Sequence, residues 1–245
     1  MEILGVIPAR GGSKTIPHKN IRLMDGQPLI AYSIDAAKGS GLITRSVIST
    51  DDEEIASVAV GCGAEVPFMR PESLARDDTT DLPVFEHCLE WLWTHEQYRP
   101  DAVVHLRPTA PLRRADHIDR AIEMLVRSPD TDSVRSVTVA SQHPLKAWGL
   151  DDEFLHPYLS HEHHKFSEPY NQPRQQLPPA FIQNGSVDVV RTTVILDGHS
   201  MSGTRIKGFV MDELDSINVD TELDWQLAEI LIRKRRGTPN AGGYA

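Results

Sequence analysis

Ile7-Pro8-Ala9-Arg10-Gly11-Gly12-Ser13-Lys14, followed by Lys19-Asn20, is the stretch on which the fold is read. The apolar run from Ile3 to Ile7 delivers the backbone into a loop of two glycines, a serine and flanking cations. Glycine lets the main chain turn sharply and approach a ligand closely. Backbone N–H groups in such a loop, beside Arg10, Lys14 and Lys19, form a cradle suited to phosphates. That reading puts a nucleotide at the carboxyl end of a first strand. The loop matches neither G-x-x-x-x-G-K-[ST] nor G-x-G-x-x-G, so taken alone it also reads as a plain turn.

Downstream, apolar runs alternate with amphipathic stretches. The pattern predicts strands at Ile3–Ile7, Ser46–Ser49, Glu65–Met69, Ala102–Leu106 and Ser133–Ala140. Helices are predicted at Pro28–Lys38, Asp52–Val60, Leu82–His95 and Ala115–Val126. Such alternation predicts an α/β fold with a mainly parallel, Rossmann-like, doubly wound sheet. From Ser141 to Pro179 the composition shifts to His, Pro, Gln and charge, and this segment reads as a small dimerisation extension. The alternating order resumes with Phe181–Val190, Lys207–Met211 and a helix from Thr221 to Lys234. The main domain is therefore residues 1–140 and 180–236, the extension is 141–179, and 237–245 reads as a flexible tail.

A net charge of −10 argues against a nucleic-acid partner, whereas a basic pocket on an acidic protein fits a small anionic ligand. No run approaches the ~18 apolar residues of a membrane span. The N-terminal run lacks a basic leader and does not read as a signal peptide. Cys62 and Cys88 lack metal-ligand spacing and read as free thiols of a cytoplasmic protein. The group His161, His163 and His164 has no matching ligand set for zinc and reads as a solvated loop or subunit contact.

In open parallel sheets ligands bind beyond the carboxyl ends of the strands. The predicted strands are followed there by Arg10, by Thr50-Asp51-Asp52, by Arg70 and by Arg107. The guanidinium fork suits bidentate contact with phosphate or carboxylate. A second cluster runs from Asp215 to Asp224. In an extended segment Asn218 and Asp220 point to one side. Two such oxygens suit Mg²⁺, which keeps several waters and takes few protein ligands. Equally, Asp220 or Thr221 caps the last helix, with Asp224 closing a capping box from Thr221.

Taken in order, these segments resemble the acylneuraminate cytidylyltransferases. The matching pieces are Ile7–Lys14 with Lys19-Asn20, Ser49-Thr50-Asp51, Arg70–Ala75, Leu106–Arg113, His143–Lys146, Pro173–Pro178, Asn184-Gly185 and Asn218–Asp224. The resemblance implies a nucleotidyltransferase-type sheet and a homodimer whose extension reaches over the partner's site. It also implies that CTP and Mg²⁺ activate a 2-keto sugar acid, giving a CMP-sugar and pyrophosphate. On that pattern Arg10, Lys19 and Asp220 are catalytic. The nucleotide is held by Arg10, Gly11, Gly12, Ser13, Lys19, Asn20 and Arg70. The acceptor is held by Arg107, Lys146, Arg174 and Asn184, and the metal by Asp220 and Asn218.

Two positions depart from the family pattern. Asn218 stands where an aspartate is usual, which removes one negative charge from the metal side. Arg107 stands where the sialic acid enzymes carry Gln, so the acceptor is either a different nonulosonic acid or a more anionic compound such as a phosphonate. Alternatively, Arg107 folds back onto phosphate or a local acid. The octulosonate cytidylyltransferases match less well. A nucleotide-sugar glycosyltransferase and a non-catalytic CTP-binding protein are the competing classes.

Overall fold

Every residue from Ile3 to Ile7 is buried, so β1 (Ile3–Pro8) is covered on both faces. Such strands read as continuous apolar runs, because helices pack on each side of the sheet. The computed structural model describes residues 1–160 and 165–237. After β1 come a short hairpin, β2 (Leu23–Met24) and β3 (Gln27–Pro28), then α1 (Leu29–Gly39), β4 (Arg45–Ser49) and α2 (Glu53–Gly61). Next are α3 (Asp81–Glu96), β5 (Ala102–His105), α4 (Ala115–Val126) and β6 (Ser133–Val139). A second hairpin, β7 (Trp148–Asp151) and β8 (Phe154–Pro157), stands apart from the main sheet. The chain ends with β9 (Phe181–Arg191), α5 (Thr192–Leu196), β10 (Ile206–Val210) and α6 (Glu222–Gly237). His161, His163, His164 and the predicted tail beyond residue 237 lie outside the described residues.

The main sheet has six strands in the order β10-β6-β9-β5-β1-β4. β1 lies parallel to β4 and β5, and β10 parallel to β6. β9 runs antiparallel to both β5 and β6, so the expected mainly parallel sheet is a mixed one with a single reversed strand. The cause is local. Val139 pairs with Phe181, and Ala140 N–H donates to Ala180 O, so β6 and β9 form a wide hairpin whose connection is the segment between them. The predicted strand Glu65–Met69 is also corrected: it makes only isolated bridges, Val47 with Glu65 and Thr50 with Met69. Pro67 sits at its centre and has no N–H for a ladder.

Side-chain alternation splits the core. Ile3, Ile7, Val104 and Leu106 face α1, α2 and α4 through Ile34, Ile55, Ile118 and Leu125. Leu4, Val6 and Val103 face α3 and α5 through Phe85, Leu89, Leu92 and Ile195. A third cluster matters most for the site. Ile16 and Met24, from the segment after β1, pack with Leu112, Val219 and the buried stripe Trp225, Ala228 and Ile232 of α6. Arg22 stacks 4.4 Å above the Trp225 ring centre. The last helix is thereby pinned beneath the first loop.

The turn before α6 is anchored by Asp215. Its Oδ2 lies 2.6 Å from Arg114 and 3.2 Å from His117 Nε2, and Arg235 of α6 holds the other oxygen. His117 Nδ1 accepts from the Arg114 N–H, which leaves Nε2 as the donor to Asp215. Burial pushes the Asp215 carboxyl up. The His117 hydrogen bond and the Arg235 and Arg114 charges outweigh it and leave the pKa at about 2. A depressed carboxylate pKa stabilises the fold above the unfolded value, about 3.9. That contribution, about 2–3 kcal/mol, is lost progressively as pH falls from about 5 to below 2. Denaturant titrations between pH 7 and 2.5 should therefore show Asp215→Asn losing that stability at pH 7 and little more below pH 4. The parent protein should lose it only in the acid limb.

Candidate active site

At the carboxyl ends of β1 and β5 lies an open cavity of about 410 Å³. Six cations line it, Arg10, Lys14, Lys19, Arg70, Arg76 and Arg107, against two carboxylates, Asp81 and Asp220. On a chain of net charge −10, this excess of local positive charge marks an anion site. Ser13, Asn20, His105 and Thr109 complete much of the wall.

The first loop is held open by specific contacts. Ala9 N–H donates to Ser49 O at 2.9 Å, tying the end of β1 to β4. Gly11 N–H donates to Asp51 Oδ1 at 3.2 Å. A Cβ on Gly11 would stand 2.5 Å from Asp52 Oδ2, and Asp52 is the N-cap of α2, so no side chain fits there. Asn20 is buried and its amide donates to Arg10 O at 3.0 Å, closing the loop on itself.

Each predicted cation that lines the cavity has a carboxylate partner. The buried Arg70 lies 3.4 Å from Asp51 Oδ1, so Asp51 serves both Gly11 and Arg70. Arg10 contacts Asp77 at 2.8 Å, and Lys14 pairs with the other oxygen of Asp77. Lys19 Nζ donates to Val219 O at 3.0 Å and lies 3.5 Å from Asp220 Oδ1. Arg107 spans two acids, Asp188 at 3.0 Å and Asp81 at 2.9 Å. Arg135 Nε lies 3.3 Å from the second oxygen of Asp188. Of the two sequence readings of Arg107, the fold-back onto local acids is the geometry found. Asp51, Asp81, Asp188 and His105 were not among the predicted site residues.

The cluster before α6 divides its labour. Thr221 and Asp224 form the capping box: Thr221 N–H donates to Asp224 Oδ2 at 2.7 Å, and Asp224 N–H to Thr221 Oγ1 at 3.2 Å. Asp220 keeps its carboxylate for Lys19 and for the Asn218 amide N–H. Asn218 Oδ1 is shielded from solvent and takes no hydrogen bond among the described residues. An orphaned oxygen beside a carboxylate fits a hard cation that takes its other ligands from water and phosphate. No group of three His, Cys, Asp or Glu suited to a metal occurs among the described residues, so the nucleotide itself would have to complete such a site.

Three predicted acceptor residues lie elsewhere. Lys146 donates to Tyr170 O, and Arg174 to Ala140 O and Ser141 O; none of them lines the cavity. Arg174 thus fastens the base of the extension, where His143 also reaches Pro178 O. Asn184 is buried in a bulge of β9. It accepts from Ser136 Oγ and Ser186 N–H, and donates to Ser216 Oγ at 2.9 Å, which ties the sheet to the turn before Asn218. The next residue, Gly185, has φ +66°, and a Cβ there would meet Arg107 Cδ at 3.5 Å and Asn218 Oδ1 at 3.8 Å. The bulge therefore backs both residues that depart from the family pattern. Gly11 and Gly12 flank the cavity without lining it.

Comparison with known proteins agrees with this architecture. The cytidylyltransferase family profile matches residues 4–153. A CMP-N,N'-diacetyllegionaminic acid synthase of Legionella pneumophila is 36% identical, over 95% of this chain and 97% of its own length. A pseudaminic acid cytidylyltransferase of Campylobacter jejuni is 32% identical, over 95% of this chain and 97% of its own. The structure of a CMP:2-keto-3-deoxy-manno-octonic acid synthetase complexed with CTP superposes with a TM-score of 0.70 at 16% identity, covering 96% of this chain and all of that one. The chain belongs to the cytidylyltransferase family and is a nucleotidyltransferase. No helix among the described residues is long and apolar enough to cross a membrane.

Arg107→Gln would strip Asp188 and Asp81 of their shared partner. Asp188 is almost fully buried, and leaving a buried charge underpaired is costly. Equilibrium unfolding should show a loss of about 2–4 kcal/mol, part of it recovered by adding Asp188→Asn.

Proposed function

We propose that this chain transfers CMP from CTP to the anomeric hydroxyl of a nonulosonic acid, releasing pyrophosphate. One observation carries the reading: Arg10, Lys19, Asn20, Arg70 and Asp220, drawn from three separate segments, converge on one cavity. The relatives named for legionaminic and pseudaminic acid activation support an acceptor of that kind over ordinary N-acetylneuraminate, as does Arg107 in place of Gln.

In this reaction the acceptor hydroxyl loses its proton to water, its oxygen bonds to the α-phosphorus, and the bond from that phosphorus to the bridging oxygen breaks. Negative charge grows on the departing pyrophosphate. Lys19 and Arg10 supply positive charge there, and a preorganised cation stabilises the developing charge without reorganising at the moment of reaction. Lys19 is suited to this because the Val219 carbonyl and Asp220 already fix its ammonium. Asn20 and Arg70 take the cytidine end. A Mg²⁺ ion at Asp220 and Asn218 would neutralise phosphate charge when bound. Burial first, then the charges of Arg107, Arg113 and Arg135, hold the His105 pKa well below its ordinary value. His105 is accordingly a neutral residue in the cavity wall.

In the same reading the enzyme is a homodimer. The extension exposes Trp148, Leu150, Phe154, Leu155 and Tyr158, a surface that supports pairing with a second copy. Lys146 and Arg174 each retain unused N–H donors and serve the acceptor across the subunit boundary, while Arg107 forms the near wall.

The test is pyrophosphate release with Mg²⁺, each of four nucleoside triphosphates, and a panel of acceptors. The panel holds legionaminic, pseudaminic, N-acetylneuraminic and octulosonic acids and a phosphonate. Release with CTP and a nonulosonic acid is expected; no release with any combination overturns the proposal. Asp220→Ala should lower kcat by about 10²–10³-fold. Asn218→Ala should cost about tenfold or less, because it removes a neutral ligand. Equal losses would contradict the unequal roles.

A further inference from the structure

The cations of the cavity are paired in two different ways. Arg70 and Arg107 are held by acids on the sheet, Asp51 after β4 and Asp188 on β9. Those partners are built into the framework. Arg10 and Lys14 share one carboxylate instead, that of Asp77, which is about half exposed and sits on the connection between Arg70 and α3. The same Arg10 nitrogen that reaches Asp77 also lies 3.4 Å from Ala75 O. Both ends of this connection are fastened. Arg70 N–H donates to Thr50 O at 2.7 Å, and Asp81 binds Arg107 at 2.9 Å. Leu74, Arg76, Thr79 and Thr80 form a wall of the cavity. Asp77 therefore lies on a span held between two anchors, bridging two cations that line an anion site.

A carboxylate bridging an arginine and a lysine occupies the positions that phosphate oxygens would take. We propose that Asp77 is an internal competitor for the triphosphate: CTP must displace it from Arg10 and Lys14, and it re-pairs with them as pyrophosphate departs. The inference rests on the cavity being the CTP site. It goes further in assigning Asp77 to nucleotide affinity and product release. The exposed pair keeps the two cations oriented while the site is empty, yet solvent and salt screen it enough to be exchanged. A framework acid such as Asp188 has no such freedom. By contrast, an aspartate that instead held Arg10 in its productive orientation would assist binding.

The two roles predict opposite signs. Asp77→Asn keeps the side-chain shape and removes the charge. Calorimetric titration with CTP and with inorganic tripolyphosphate should give a Kd about three- to tenfold lower than that of the parent for both ligands. Inhibition by pyrophosphate should tighten by a similar factor. Adding Lys14→Gln should shrink the gain, because Asp77 acts partly through that lysine. A melting temperature near the parent's shows that the exposed substitution leaves the fold intact. If Asp77→Asn binds either ligand no more tightly than the parent, or more weakly, the competitor role is overturned while the CTP site stands. If the parent binds neither ligand, the site assignment falls and the competitor role with it.

Discussion

One half-buried ammonium holds the site together. Lys19 belongs to the first loop, yet its Nζ is held by the carbonyl of Val219 and the carboxylate of Asp220, about 200 positions later. Its side chain is only 13% exposed. A cation placed so deep is tolerated because those oxygens replace its water. Val219 is fixed in turn: its N–H donates to Thr109 O at 2.7 Å, and its side chain packs with Ile16 and Trp225. Three loops, after β1, after β5 and before α6, thus meet at a single lysine. The arginines around the cavity then face the same space.

Charge pairing gives the cavity two properties at once. Framework acids hold Arg70 and Arg107 in place before any ligand arrives, so little reorganisation remains when phosphate binds. The same pairing lowers the field that a ligand meets, which sets affinity by exchange of one anion for another. Where the acid is buried, as at Asp188, the pair is structural; where it is exposed, as at Asp77, the pair is exchangeable. Arg107 belongs to the first kind. It presents the cavity with the hydrogen-bonding edge of a neutralised cluster rather than a free positive charge.

Much of this was legible in the residues. The apolar run Ile3–Ile7, the glycines and the cations after it marked a strand end and an anion site, and Arg10, Lys19, Asn20, Arg70 and Asp220 do share one cavity. The capping box of Thr221 and Asp224 could be read from spacing, because it is local. The rest depended on long-range pairing. The acids that hold Arg107 lie 26 and 81 positions away, so no local pattern announces them. The direction of β9 follows from the wide hairpin with β6, which the polar composition of the intervening segment concealed. Arg174 and Asn184 also sit in matching motifs, but no spacing shows what they touch within this chain. Their partners are backbone carbonyls and neighbouring side chains that secure the extension and the bulge.

The most direct measurement is a crystal structure of the protein with CTP and Mg²⁺. The account predicts the triphosphate against the Gly11–Ser13 loop and Lys19, a cation at Asp220 and Asn218 Oδ1, and the cytosine end beside Asn20 and Arg70. CTP seated elsewhere, for example in the apolar groove between Glu86, Trp93 and Tyr98, or bound with its phosphates away from Lys19, would contradict it.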